Sequence, residues 1–394
     1  MEHVQYLKEN MQKRSIPLSE PVISGNEWKY VKDCLDTGWV SSVGKYVDLF
    51  ENNIASYCGA QHGIATVNGT SALHISLLVC GVKQGDEVIV PTLTFVAPVN
   101  AVKYCNAEPV FMDCDPNTLC MDINKVTDFL RNECEKRTDG FTYNKKTQRR
   151  IKAIAPVHIF GHPVDMDPLM VIAKEHNISV IEDATESLGS KYKDKKTGSI
   201  GDIGCFSFNG NKIITAGGGG MIVTNDDEKA HHAKHLTTQA KSDSLTSDHD
   251  QIGYNYRLTN IQAAMGIAQL EKLDDIVEVK RKNAMLYKEL LSDSDVIEVL
   301  CEKTWSLSNF WLNTIKVGQK HKRPLLDYLI QNDIHARPIW KLIHTLPMYK
   351  SNESYNITNA LEVSEQCINL PSSVGIKNED IEYVTKTIKK YLSN

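Results

Sequence analysis

The sequence predicts an α/β fold with a mainly parallel central sheet flanked by helices, followed by a smaller C-terminal α/β domain. Between about residues 62 and 225, short apolar runs alternate with amphipathic helical patterns, which is typical of βαβ units. After residue 251 the pattern changes to one long amphipathic helix and then to a mixture of short strands and helices. We therefore expect a large domain with an N-terminal arm over residues 1–250, and a connecting helix with a small domain over residues 251–394.

Local periodicity and turn residues place the individual elements. Strands are predicted at GIATV (63–67), DEVIVP (86–91), EPVFMD (108–113), IKAIAPVHIF (151–160) and ISVIED (178–183). Helices are predicted at 69–82, 95–105 and 167–177, the last with Asp167 as its N-cap and Pro168 as its first residue. The long helix is predicted to begin near Thr259 and to run to Leu291. In sheets of this kind, ligands bind at the carboxyl ends of the strands.

Composition excludes several classes of function. The net charge of −5 gives no electrostatic footprint for nucleic acid or for an anionic membrane. There is no apolar run of about 18 residues, and the first 21 residues lack the apolar segment of a leader peptide. The ten cysteines follow neither a zinc pattern nor a dense disulfide pattern, so we expect reduced thiols and a cytoplasmic protein without a metal site.

Two strand ends carry polar groups suited to a ligand. After the first strand, the chain turns through Gly69 into a helix, and Thr70 and Ser71 at its start could hold a phosphate because helix N-termini present free N–H groups. The alternative is an ordinary helix cap. Asp183 ends an apolar strand, where a carboxylate is costly unless it is paired. It is either a helix cap or the partner of a buried cationic group.

The segment FSFNGNKIITAGGGGMIVTN (206–225) places one lysine, Lys212, between two apolar runs and beside four glycines. Most lysines are solvated surface residues, and that alternative applies here. However, a lysine in apolar surroundings can act as a nucleophilic amine, and glycines let the backbone approach a ligand closely. A phosphate cradle, an acid at a strand end and a buried lysine are the parts that pyridoxal phosphate requires.

These motifs resemble the DegT/DnrJ/EryC1/StrS family of sugar-nucleotide aminotransferases, which have the type I fold of aspartate aminotransferase. The resemblance covers nearly the whole chain and is strongest in NGTSALH, DEVIVPTLTFVAPVNAV, EPVFMDCD, PVHIFGHPVDMDP, VIEDATESLGS, GDIGCFSFNGNKIITAGGGGMIVTND and GYNYRLTNIQAAMGIAQL. It implies pyridoxal phosphate as cofactor, with pyridoxamine phosphate as its aminated form. This chain departs from many of these relatives at GGGG (217–220), where they have GEGG, and at Glu186, where they have glutamine.

The resemblance also assigns roles to single residues. Lys212 would form the Schiff base, and Asp183 would pair with the pyridine nitrogen. Phe95 would stack on the ring, and Glu186 would lie near the ring hydroxyl. Thr70, Ser71 and Ser207 would contact the phosphate. Asn255 would reach the phosphate of a second subunit, which implies a homodimer with shared active sites.

The substrate expectation rests on the same resemblance. A branch of the family has histidine in place of the lysine and performs dehydration, so Lys212 indicates transamination. The motifs look most like the branch that aminates C4 of nucleotide-linked 4-keto-6-deoxy-N-acetylhexosamines for surface glycans such as O-antigen. We expect L-glutamate as donor and a UDP-linked substrate, with a GDP-linked 4-keto sugar or C3 of a dTDP-linked 3-keto sugar as alternatives. Arg337, Trp340 and His344 are candidate substrate contacts, with ordinary loop residues as the alternative.

Three other interpretations have less support in the sequence. A nucleotide-dependent oxidoreductase would need a G-x-G-x-x-G turn after the first strand, and NGTSAL does not provide it. A catalytically idle regulator of the same fold would not require Lys212, Asp183 and Asn255 together. His158 and His162 could suggest a metal pair, but the sequence offers no third ligand in register with them.

Overall fold

The computed structural model describes residues 15–243 and 245–393. Most of the N-terminal stretch from which we excluded a leader peptide lies outside these residues. In the described parts of the chain, eight strands form one sheet in the order β1-β11-β10-β7-β6-β2-β3-β16. They are β1 (His62–Thr66), β2 (Glu87–Pro91), β3 (Glu108–Met112), β6 (Ile151–Ile154), β7 (Ser179–Asp183), β10 (Ile203–Ser207), β11 (Gly220–Thr224) and β16 (Ser354–Tyr355).

The large sheet is mainly parallel, as predicted. β11 runs antiparallel to both β1 and β10, and the other neighbouring pairs are parallel. The strand β2 is buried along its full length, because helices cover both faces of a parallel sheet. The helices of this part are α1 (Glu27–Thr37), α2 (Lys45–Cys58), α3 (Gly69–Val79), α4 (Ala97–Tyr104), α5 (Ile123–Asn132), α6 (Met166–Glu175) and α7 (Asp227–Thr237).

A second sheet is built from later residues and has the order β12-β14-β17-β15, with antiparallel pairs throughout. Its strands are β12 (Ile297–Val299), β14 (Asn313–Val317), β15 (Arg337–Pro338) and β17 (Cys367–Leu370). The helices here are α8 (Asn260–Leu270), α9 (Leu273–Leu291), α10 (Gln319–Gln331), α11 (Asn359–Ser364) and α12 (Asn378–Leu392). The predicted boundary at residue 250 stays a prediction, and two segments cross it: β16 pairs with β3, and Ile16 pairs with Ile334.

Small strand pairs complete the described structure. The hairpin β4 (Cys134–Lys136) and β5 (Thr142–Asn144) stands apart from both sheets. β8 (Lys191–Tyr192), β9 (Lys195–Lys196) and β13 (Ser306–Leu307) form a three-stranded sheet. Within residues 15–243 and 245–393, no helix combines the length and the apolar character needed to cross a membrane.

Two predicted helices differ from the structure. The prediction of a single long helix is wrong: the chain forms two helices, α8 and α9, with a break at Glu271 and Lys272. α8 packs against α1 and α2, whereas α9 packs against α12, so the two segments have different packing partners. Thr259 caps α8 as predicted, through a capping box with Gln262. In α6, Asp165 occupies the N-cap position instead of Asp167. Pro168 is tolerated in the first turn because the N–H groups there have no intrahelical acceptor.

Candidate active site

One cavity of about 240 Å³ lies at the carboxyl ends of β7 and β10, where sheets of this class bind ligands. Seven residues selected from the sequence line it together: Thr70, Phe95, Asp183, Glu186, Ser207, Lys212 and Trp340. They come from five separate parts of the chain, and the fold alone brings them together. The cavity is therefore the candidate active site.

The start of α3 forms one end of the cavity. Asn68 caps the helix, and its Oδ1 accepts a 2.8 Å hydrogen bond from the N–H of Ser71. Gly69, Thr70 and Ser207 line the cavity here. A Cβ added at Gly69 would stand 2.8 Å from the Cβ of Ser207, so only glycine fits where the helix meets β10. This end presents helix N–H groups and two hydroxyls, which is the chemistry of a phosphate cradle.

Asp183 places a buried carboxyl group in the wall of the cavity. It is 2% exposed, and its Oδ1 accepts a 3.1 Å hydrogen bond from the N–H of Thr185. Its backbone is fixed on both sides, since its N–H donates to Pro156 and its carbonyl accepts from His158. Burial raises the pKa of Asp183, although the N–H of Thr185 and the charge of Lys212 oppose that shift. A cationic or protonated ligand atom facing this carboxyl group would be stabilised.

Lys212 projects into the cavity from the loop after β10. Its side chain is 13% exposed, its Nζ lies 3.8 Å from Oε1 of Glu186, and it stands 4.3 Å from the centre of the Trp311 ring. The glycine run allows this loop to return to the sheet. Gly217 and Gly219 have φ of 73° and 119°, values that favour glycine, and a Cβ at Gly220 would stand 2.5 Å from the carbonyl of Asn68.

Glu186 is the second buried carboxyl group of the cavity. Its Oε2 accepts a 2.7 Å hydrogen bond from the N–H of Phe160, a buried residue held at a φ of 55°. Burial raises the pKa of Glu186 to about 7, and the charge of Asp183 adds to the shift, while Lys212 and the Phe160 N–H act against it. Non-glycine residues in the left-handed region are uncommon and are often found at functional sites. The backbone at Phe160 thus directs its N–H to Glu186 in the wall of the cavity.

Trp311 is a cavity residue that the sequence analysis missed. It lies just before β14, and its Nε1–H donates a 2.6 Å hydrogen bond to the carbonyl oxygen of Asn211, next to Lys212. Thr185, Asn209 and Asn211 also line the cavity and were not selected. The asparagines stand within the quoted glycine-run segment, so their position was a usable signal. No local pattern marks Trp311.

Four selected residues are not among the described residues that line the cavity: Ser71, Asn255, Arg337 and His344. Ser71 lies one position further into α3 and is buried. Asn255 is exposed, and its Oδ1 accepts a 3.0 Å hydrogen bond from Arg257. Arg337 is exposed in β15, and His344 bonds Thr92 at 2.6 Å. Their predicted contacts with cofactor and substrate stay predictions.

Phe95 and Trp340 form the aromatic side of the cavity. Their ring centres are 5.5 Å apart in an edge-to-face arrangement, and Trp340 also packs against Phe160. Phe95 is 53% exposed, so a planar ligand can cover its free face. Its predicted stacking on a ring stays a prediction that this geometry suits.

The histidine pair in PVHIFGHP has other partners. Nε2 of His158 bonds Glu182 at 2.9 Å, and its Nδ1 accepts a 3.0 Å hydrogen bond from the N–H of Val164. His162 packs edge-on against Phe310, and burial lowers its pKa to about 4. Both nitrogens of His158 are therefore engaged in the protein interior.

Comparison with known proteins identifies the family. The model of the DegT/DnrJ/EryC1/StrS aminotransferase family matches residues 21–389. The chain belongs to this family. A GDP-perosamine synthase of Escherichia coli O157:H7 is 40% identical over 380 residues, which span 96% of this chain and 99% of that protein. The putative pyridoxal phosphate-dependent aminotransferase EpsN of Bacillus subtilis is 36% identical over 93% of both chains.

Solved structures agree with this assignment. The crystal structure of a DegT/DnrJ/EryC1/StrS aminotransferase from Brucella abortus is 27% identical, with a TM-score of 0.86 over 94% of this chain and 96% of that one. The protein is thus a pyridoxal phosphate-dependent sugar-nucleotide aminotransferase with the type I fold. The oxidoreductase and idle-regulator interpretations are wrong.

The residues present fit pyridoxal phosphate. The start of α3 with Ser207 suits its phosphate, the buried Asp183 suits its ring nitrogen, and Lys212 suits its aldehyde. When bound, the cofactor supplies an electron sink for the carbon next to the transferred nitrogen. In that position Asp183 would keep a proton on the ring nitrogen, and the apolar walls would exclude water. The amine of Lys212, on its flexible stem, would move protons at the reacting carbon.

Proposed function

We propose that this enzyme transfers an amino group from L-glutamate to C4 of a GDP-linked 4-keto-6-deoxy hexose for surface glycan synthesis. The choice of a GDP-linked substrate rests on the 40% identity, across almost the whole of both chains, to a protein named GDP-perosamine synthase. The UDP-linked substrate expected from the sequence has no support of this kind. The GDP alternative therefore replaces it.

The cavity supports a sugar ring next to Lys212. Trp340 and Trp311 both line it, one on each of two distant segments, and their apolar faces suit a deoxygenated sugar carbon. Amination at C4 instead of C3 rests on the motifs quoted above. L-glutamate as donor rests on the family resemblance.

We also propose a homodimer with shared active sites and a cytoplasmic location. Seven large apolar residues of the segment 23–49 are exposed in the single chain: Ile23, Trp28, Leu35, Trp39, Val40, Val43 and Leu49. Such a concentration is typical of a covered interface. All ten cysteines are free, and nine of them are buried, which suits a reducing compartment.

The test is turnover of a small substrate panel with L-glutamate. The panel contains a GDP-linked 4-keto-6-deoxy hexose, a UDP-linked N-acetylated 4-keto-6-deoxy hexose and a dTDP-linked 3-keto-6-deoxy hexose. We expect the GDP-linked compound to react fastest, with NMR placing the new amine at C4. Faster turnover of the UDP-linked compound, or amination at C3, would refute the proposed substrate.

A further inference from the structure

The two carboxyl oxygens of Glu186 face different partners. Oε2 accepts the N–H of Phe160 at 2.7 Å, whereas Oε1 lies 3.8 Å from Nζ of Lys212. A neutral carboxyl group accepts an N–H best through its unprotonated oxygen, so a proton on this group is favoured on Oε1. Glu186 is 3% exposed, so its carboxyl group has little contact with bulk water. The mobile proton therefore faces Lys212.

The charged and titratable groups around Glu186 come from three elements. Lys212 approaches from the loop after β10, and Asp183 stands at the end of β7. Cys120, before α5, is also close enough to interact electrostatically. Its thiol donates to the carbonyl of His162, and burial raises its pKa to about 12, so it stays neutral. Lys212 is then the basic group to which Glu186 can pass a proton.

We propose that Glu186 is the proton partner of Lys212. In one direction the Oε1–H bond breaks and an N–H bond forms at a neutral Nζ, which leaves a carboxylate and an ammonium group. In the other direction the carboxylate takes the proton back and restores the neutral amine. Nζ and Oε1 must approach by about 1 Å to reach hydrogen-bond distance, which rotation of the lysine stem allows.

The electrostatics of the cavity support this exchange. The pKa of Glu186 is raised to about 7, so the acid and its carboxylate coexist near neutral pH. A group whose pKa lies near the working pH is the most effective proton donor and acceptor. The amine of Lys212 has to be neutral to attack a carbon and charged to return a proton. A buried carboxyl group beside the amine can hold the proton while the amine is neutral and return it when the amine must be charged.

A purely structural role makes a different prediction. If Glu186 only anchored the N–H of Phe160, glutamine would serve equally, because its amide oxygen accepts the same hydrogen bond. Glu186→Gln therefore separates the two roles. Glu302→Gln is the control, since Glu302 is partly buried and paired with Arg281 outside the residues that line the cavity.

The first measurement uses the full chain before pyridoxal phosphate is added. Lys212 is labelled with an acylating reagent at several pH values, and the labelled peptide is quantified by mass spectrometry. At pH 8 an ionised Glu186 favours the unreactive ammonium form, so Glu186→Gln should label several-fold faster than the natural chain. At pH 6 the two proteins should label alike. Glu302→Gln should match the natural chain throughout.

The second measurement is the pH dependence of turnover in the holoenzyme. We expect Glu186→Gln to reduce kcat by about 10-fold to 100-fold. It should also remove an inflection near pH 7 while leaving KM for the sugar nucleotide unchanged. Labelling and pH profiles identical to those of the natural chain would overturn the proposal. Should Glu186→Gln fail to fold, Glu186→Asp must move the labelling inflection, and an unmoved inflection would overturn it.

Discussion

The indole N–H of Trp311 donates a 2.6 Å hydrogen bond to the carbonyl oxygen of Asn211, which lies 100 residues earlier in the chain. Asn211 is followed directly by Lys212, and the face of the same indole lies 4.3 Å from the lysine Nζ. One side chain therefore fixes both the backbone and the amine of the reactive residue. This double contact would hold the loop lysine in place against a bound cofactor.

Replacing Trp311 by phenylalanine should separate these two contacts. The variant keeps an aromatic face under Lys212 but removes the N–H that holds Asn211. We expect kcat to fall about 10-fold, and the free energy of unfolding to fall by about 1 kcal/mol for the lost hydrogen bond. Trp305→Phe is the matched control, because Trp305 packs on Tyr192 outside the cavity lining. Equal kcat in the two variants would contradict a positioning role for Trp311.

Asp183→Asn should lower activity and raise stability together. Burial raises the pKa of Asp183, so the fold disfavours its charged form. Its stability contribution is therefore present below the unfolded pKa near 3.8 and is lost as pH rises through the folded pKa. The asparagine amide still accepts the N–H of Thr185. Denaturant unfolding of the cofactor-free chain should show a more stable variant at pH 8 and no difference at pH 3.

The same variant should turn over at least about 10³-fold more slowly, because an amide cannot stabilise a protonated ring nitrogen. A variant that is destabilised at pH 8, or that keeps most of its activity, would contradict this account of Asp183.

Mixed dimers test whether Asn255 serves the neighbouring subunit. Lys212→Ala should be inactive and should lose covalent cofactor attachment, seen by borohydride reduction and peptide mapping. Asn255→Ala should be severely impaired if its amide holds a phosphate across the interface. Mixing the two should restore activity, since one site of each hybrid then has both residues. Verified hybrids without recovery would rule out the contact. Lys386→Ala, an exposed lysine of α12, is the control for the mapping.

We expect His74 to cause part of the loss of stability of the fold in acid. It is 4% exposed among Tyr104, Tyr254 and Tyr256, and burial lowers its pKa to about 4. Because the folded pKa lies below the unfolded value of 6.5, stability present above pH 6.5 is lost as pH falls toward 4. We expect this single residue to account for about 2 kcal/mol of the stability lost between pH 7 and pH 5.

His74→Phe should keep the aromatic packing and flatten that dependence, as measured by urea midpoints at pH 7 and pH 5. The exposed His231 on α7 provides the control His231→Gln, which should follow the natural chain. An unchanged pH dependence in His74→Phe would show that His74 does not titrate in this range.

Sequence patterns predicted best what local physics determines. The strand that ends at Asp183 and the helix cap at Thr259 were both placed correctly, because apolar periodicity and capping chemistry are local. The break at Lys272 was missed, since amphipathic periodicity continues through it and the different packing partners of α8 and α9 are not visible in the local pattern. Trp311 was missed because its role depends on a contact between distant segments. The nucleotide could not be derived from the residues because no pattern that we used reads a base.

The bridge between Ile16 and Ile334 has a consequence for biosynthesis. Ile16 is 3% exposed and packs in the core with Ile368 and Leu370, and the carbonyl of Leu18 accepts a hydrogen bond from Ser372. On the ribosome, residues 16–18 emerge more than 300 residues before those partners. At ordinary translation rates they wait on the order of tens of seconds without their native contacts. The core of the small C-terminal sheet thus includes an apolar side chain from the N-terminal arm, and it cannot close during synthesis until β17 has been made.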